Sequence, residues 1–191
     1  DVLLTHLHFD HVGGAVRRDS AGALVPAFQN ATFWSCERHW QWAVAPNARE
    51  KASFLAENIL PLEASGRLRF VERTGRWAHQ ALGLPELDIF FADGHTESQM
   101  IPVLQHGSHR IAFMADLLPS AAHVPLAWVM GYDTRPLLTL EEKDLFLHRA
   151  ASEGWVLFLE HDGQNAACTV NVGEKGVRVG ERAPTLEELL G

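Results

Sequence analysis

The chain has 191 residues, 47% hydrophobic and 21% charged, with 24 acidic side chains against 16 Lys and Arg and a formal charge of −8. That composition excludes an intrinsically disordered chain, and no uncharged apolar run is long enough to span a membrane. The acidic balance weighs against DNA or RNA as a partner, and two cysteines, Cys36 and Cys168, make neither a disulfide framework nor a thiolate metal cluster.

In chain order, residues 1–5 predict a short buried strand, the string Thr5 to Gly14 a polar turn, and residues 12–18 the beginning of a helix. Residues 31–35 predict a strand, followed by helices over about 36–45 and 48–60, the second with Asn47 as its N-cap. Strands are expected at 68–71 and 87–92, and a hairpin forms around the turn Gln105 to His109. Residues 139–154 give the clearest helix, with Thr139 and Glu142 as a capping box and Gly154 as its stop. A strand at 155–160, a closing hairpin over 167–180 and a short helix after Pro184 complete an α/β chain, expected as one layered domain over 1–191. Because the chain opens at Asp1 directly on the apolar Val2-Leu3-Leu4, it is expected to be a piece of a longer polypeptide, with any signal peptide upstream. Free thiols fit a reducing, cytoplasmic setting.

Eleven histidines are the compositional feature that directs the functional reading, and three of them fall in Thr5-His6-Leu7-His8-Phe9-Asp10-His11-Val12-Gly13-Gly14. Imidazole nitrogen and carboxylate oxygen are the ligands that borderline divalent metals prefer. Alternation puts His6 and His8 on one side of the chain as it leaves the strand, and Asp10 and His11 follow where it turns. Further candidates sit where apolar strands run into loops: His95 after residues 87–92, Asp116 after 110–115, and His161 after 155–160. Together they offer five imidazoles and two carboxylates, enough for two ions.

The order of these motifs resembles the metallo-β-lactamase superfamily of metallohydrolases. The resemblance implies a four-layer αββα sandwich, here without the first strands that precede the histidine motif in that fold. It implies that His6, His8 and His95 hold one ion and Asp10, His11 and His161 a second, with Asp116 bridging. The spacings, 84 residues from His11 to His95, then 21 to Asp116 and 45 to His161, are similar to those of the acyl-homoserine lactonases and the methyl parathion hydrolase-like enzymes. The long first interval resembles the latter more. One departure bears on substrate: the lactonases carry a catalytic Tyr three residues after the bridging Asp, where this chain has Pro119, and its only tyrosine is Tyr132.

Two ions ~3.5–4 Å apart can share a hydroxide poised to attack an ester-like bond. The expected function is therefore a hydrolase of a lactone, carboxylic ester or phosphotriester, with zinc, or else manganese or iron, and with Asp10 as proton shuttle beside Asp116. Asp1, Thr5 and Glu160 are candidate partners for imidazole N–H groups. Trp34 and Trp40, in the aromatic stretch 28–54, and His123 are candidates to line a substrate pocket, and the same aromatics could serve a homodimer contact. The competing classes are an iron oxidoreductase of the same fold, which resembles the persulfide dioxygenases and leaves His11 and His161 largely unneeded, and a non-catalytic fragment. No membrane or nucleic-acid partner is expected.

Overall fold

The computed structural model describes residues 1–191 and divides into two compact units, 1–73 with 97–100, and 74–96 with 101–191. The first unit contains β1 (Val2–Leu3), α1 (Phe9–Val12), β2 (Val16–Arg18), β3 (Leu24–Pro26), β4 (Phe33–Cys36), α2 (Glu37–Val44), α3 (Ala56–Ala64) and β5 (Leu68–Val71). Its main sheet is parallel, in the order β1-β4-β5, with Val2 beside Phe33 and Phe33 beside Leu68. Parallel neighbours need a crossover, and α2 and α3 supply the one between β4 and β5. Leu4, Leu7, Val12, Phe33, Trp40, Phe54, Ile59 and Leu62 form the core of this unit.

Two elements differ from the sequence expectation. Residues 12–18 do not form a helix: after α1 the chain makes a 3-10 turn at Gly13–Ala15 and enters the β2–β3 hairpin, where Val16 pairs with Pro26. Two adjacent glycines cost roughly 1 kcal/mol each in a helix, and β-branched Val16 fits a strand better. The second helix starts at Ala56 and not near 48. Asn47 does cap, its Oδ1 accepting from the amides of Arg49 and Glu50, but what it caps is a turn.

The second unit contains β6 (Trp77–Ala78), β7 (Leu87–Ala92), β8 (Gln99–His106) from residue 101 onward, β9 (His109–Phe113), α4 (Pro136–Glu153), β10 (Val156–Phe158), β11 (Ala167–Gly173), β12 (Gly176–Ala183) and α5 (Glu187–Leu190). Seven strands pair in the order β12-β11-β10-β9-β8-β7-β6. β9 and β10 are parallel and are joined through α4, whereas β8–β9 and β11–β12 are the expected hairpins. Phe90, Ile101, Val103, Met114, Phe146, Trp155 and Leu157 dominate the core. Within it the Trp155 and Phe146 rings meet edge-on at 5.4 Å.

Helix α4 begins at Pro136, because a proline at the first helical position loses no needed N–H. Thr139 and Glu142 consequently lie inside the helix and form no capping box, and Glu142 reaches out to the loop before His95. Gly154 closes the helix as expected, with φ 67° and its amide on the Ala150 carbonyl. No helix is long and apolar enough to cross a membrane.

Candidate metal centre

In the first unit the candidate ligand loop leaves β1 with its alternation anchored by the core. Leu7 is fully buried in the apolar cluster, which sends His6 and His8 the other way. The His6 and His8 rings stand 4.7 Å apart, edge to face, and the His6 and His11 rings 3.9 Å apart. One turn of α1 brings His11 round, its Nε2 3.6 Å from the Asp10 carboxylate, which is 44% exposed. Thr5 Oγ1 lies 3.2 Å from His6 Nδ1.

Buried groups hold this loop in place. The Leu7 amide donates to His39 Nε2 at 2.8 Å, so that nitrogen must be the acceptor and Nδ1 carries the proton. His39 Nδ1 then donates to the Glu97 carbonyl at 2.5 Å. Glu50 places Oε1 3.4 Å from His8 Nε2, while its Oε2 accepts from Trp42 Nε1 and Asn47 Nδ2. The Phe54 ring packs 4.8 Å from that of His8.

In the second unit two imidazoles converge on one carboxylate. His95 follows β7, and its Nε2 lies 3.1 Å from Asp116 Oδ2. His161 Nε2 lies 3.0 Å from Asp116 Oδ1. Asp116 thus turns each oxygen to a different imidazole while only 4% exposed. It sits on a 3-10 turn (Ala115–Leu117) just past β9, not at the strand end itself. Ala115 adopts φ 43°, which costs a residue with a Cβ about 1–2 kcal/mol and aims Asp116 inward. Asp116, Glu160 and His161 each offer a ligand atom within 4.8 Å of the others.

The loop carrying His95 is held from α4. Glu142, fully buried, accepts from the amides of Asp93 and Gly94 at 2.8 and 2.9 Å, and burial pushes its carboxyl pKa up. Gly94 is obligatory: a Cβ there would stand 2.5 Å from the Thr139 backbone nitrogen and 2.6 Å from its Cα. On its far side His95 Nδ1 lies 3.0 Å from Oδ1 of buried Asp133.

These donors suit a divalent ion. Two donors about 2.1 Å from one ion and at roughly tetrahedral to square angles lie about 3.0–3.4 Å apart. The His95–Asp116 and Asp116–His161 separations of 3.1 and 3.0 Å match that edge length. Residues 1–161 match the family model for the metallo-beta-lactamase superfamily. The chain belongs to the metallo-β-lactamase superfamily.

Solved structures give the same fold. A protein from Staphylococcus aureus described as a probable metal-dependent hydrolase superposes with TM-score 0.76 and 24% identity, over 95% of this chain and 61% of its own. AidC, a dizinc quorum-quenching lactonase in complex with a product, gives 0.73 and 19% over 94% and 63%. AbOPH, a hydrolase in the β-lactamase superfamily, gives 0.73 and 20% over 93% and 62%. At these identities the likeness concerns the fold alone. This metallo-β-lactamase chain spans about three fifths of the length of those proteins. No curated protein sequence matches it.

The remaining sequence candidates fall as follows. Trp40 is 6% exposed and part of the first unit's core, whereas Trp34 is half-buried and donates from Nε1 to Asp1. Asp1 is thereby engaged with an indole. His123, in the second unit, is hydrogen-bonded to Ser120 Oγ at 2.8 Å, and burial lowers its pKa. Three residues that sequence reasoning passed over hold the candidate ligands: Glu50 and Asp133 contact the His8 and His95 rings, and His39 anchors the backbone between His6 and His8. Only His39 left a signal: it shares the buried face of α2 with Trp40 and Ala43, an unusual place for an imidazole.

Proposed function

We propose that the protein is a dinuclear metal-dependent hydrolase of a small, neutral ester-like molecule: a lactone, a carboxylic ester or a phosphotriester. The observation that carries the reading is Asp116, whose two oxygens face the Nε2 atoms of His95 and His161 at 3.1 and 3.0 Å, the disposition of a carboxylate shared by two ions. In this reading His6, His8 and His95 hold one ion, Asp10, His11 and His161 the other, and zinc is the resident metal. When bound, such a pair supplies a lowered water pKa and Lewis acidity toward the ester oxygen.

The chain's own residues supply the rest. Asp10, the most exposed of the ligand carboxylates and one turn into α1, carries the proton to the departing alkoxide. Asp10 and Asp116 offset only half the charge of two divalent ions, so the centre stays cationic and favours charge that develops during reaction over a neutral ground state. A net charge of −8 with no basic stretch offers nothing to hold a polyanion. Pro119 replaces the tyrosine expected of an acyl-homoserine lactonase, and Tyr132 is 78% exposed, which favours aryl or acyl esters and phosphotriesters over that lactone class.

The test is a comparison of kcat/KM on an aryl ester, a γ-lactone, a phosphotriester and a short RNA, before and after chelation and with zinc or manganese restored. The reading expects a neutral substrate to lead and the rate to follow the metal. RNA as the best of the four, or rates indifferent to chelation, would overturn it.

A further inference from the structure

We infer that Asp133 is a positioning residue: its buried carboxylate accepts a hydrogen bond from His95 Nδ1–H, fixes the ring's orientation and tautomer, and turns Nε2 toward Asp116. This rests on the metal reading above. In the 3.0 Å contact Nδ1–H is the donor and Asp133 Oδ1 the acceptor. With Nδ1 engaged by Asp133, Nε2, 3.1 Å from Asp116 Oδ2, is the ring nitrogen turned toward the shared carboxylate. Both side chains are 1% exposed, so neither can exchange this partner for bulk water.

The backbone delivers the carboxylate with little freedom. Thr134 N donates to the His95 carbonyl at 3.2 Å, and Arg135 N to the Gly94 carbonyl at 2.8 Å. The Arg135 guanidinium donates to the Asp93 carbonyl at 2.6 Å, and Thr134 Oγ1 to that of Gly94 at 3.2 Å. Upstream, Lys143 on α4 donates from Nζ to the carbonyls of His123, Pro125 and Trp128. Residues 133–135 are therefore laced onto 93–95 by bonds that do not involve the Asp133 side chain. Removing that carboxylate leaves this backbone lacing intact, releases the His95 imidazole and withdraws the negative charge that also acts on Lys143 and His123.

The experiment is zinc titration of the full chain against a chromophoric chelator, with visible spectra of the cobalt-substituted protein, for the parent, D133A and D133N. D133A is expected to weaken one of two ions about 10–100-fold, the usual scale for losing a carboxylate behind a ligand histidine, and to leave the other within about twofold. D133N, which keeps a carbonyl acceptor and loses the charge, should fall between. The cobalt spectrum should change in D133A, which a merely structural role would not produce in protein that still melts cooperatively. Parent affinity at both ions in D133A and D133N overturns the role of Asp133 and leaves the hydrolase reading standing. A parent chain that takes up no ion overturns both.

Discussion

Gly94→Ala is the sharpest perturbation of the site that alters no candidate ligand side chain. The added methyl would meet the Thr139 hydroxyl as well as its backbone nitrogen at 2.5 Å and Cα at 2.6 Å, whereas ordinary contact begins at 3.4 Å. About 0.9 Å of movement is required, and Thr139 is 1% exposed in the first turns of α4, so a helix or the His95 loop must give way. Overpacking of this kind costs about 1–3 kcal/mol. Displacing Gly94 also stretches its bonds to Glu142 Oε2 and Arg135 N, each worth about 1 kcal/mol or less when strained and not lost. The total is about 2–4 kcal/mol, or roughly 5–15 °C in melting temperature at this chain length. Calorimetry of the metal-free protein reads the stability, and zinc titration reads the displacement of His95. Gly75→Ala, where a Cβ meets nothing within 4 Å, is the matched control and should change stability by no more than about 0.5 kcal/mol. A Gly94→Ala protein that melts within 2 °C of the parent, in a reading accurate to about 1 °C, and binds metal unchanged would refute the packing argument.

Asp116→Ala should lower metal content and cut hydrolysis by orders of magnitude, while His109→Ala on the β8–β9 hairpin should be nearly silent; equal tolerance at both would mean that the site lies elsewhere. Glu142→Ala strands the buried amides of Asp93 and Gly94 and should cost about 2–4 kcal/mol by urea denaturation, with Glu142→Gln retaining part of that loss. Burial brings the Lys143 ammonium down to about 8 from an ordinary 10.5. Below pH 8 the folded protein carries the full cost of that buried charge; between about 8 and 10.5 the unfolded chain binds the proton that the folded one has released, so stability rises with pH. Lys143→Met should flatten that rise, and a slope that survives the substitution would assign it to other groups.

The candidate ligands were legible where they lie close together in the chain or at a strand exit. His6, His8, Asp10 and His11 span six residues after a strand, and three apolar runs announce the places of His95, Asp116 and His161. What holds those ligands was less legible, because it is non-local. Asp133 reaches His95 across 38 residues from a segment that reads as an ordinary turn before Pro136, and Glu50 meets His8 from a stretch that reads as a helix start. Glu142 illustrates the same limit. Three residues after Thr139 it satisfies the local pattern of a capping box, yet its oxygens go to amides 48 and 49 residues away, which outweigh a cap on a helix that Pro136 already starts. The Gly13-Gly14 pair shows local propensity deciding correctly where the apolar spacing alone did not.

Metal stoichiometry of the purified protein tests the central claim most directly. Elemental analysis should find close to two divalent ions per chain, zinc or manganese, falling to about one or less in Asp116→Ala and lost with activity on chelation. One iron per chain with negligible zinc or manganese would contradict the account and move the protein to the oxidoreductases of the same fold.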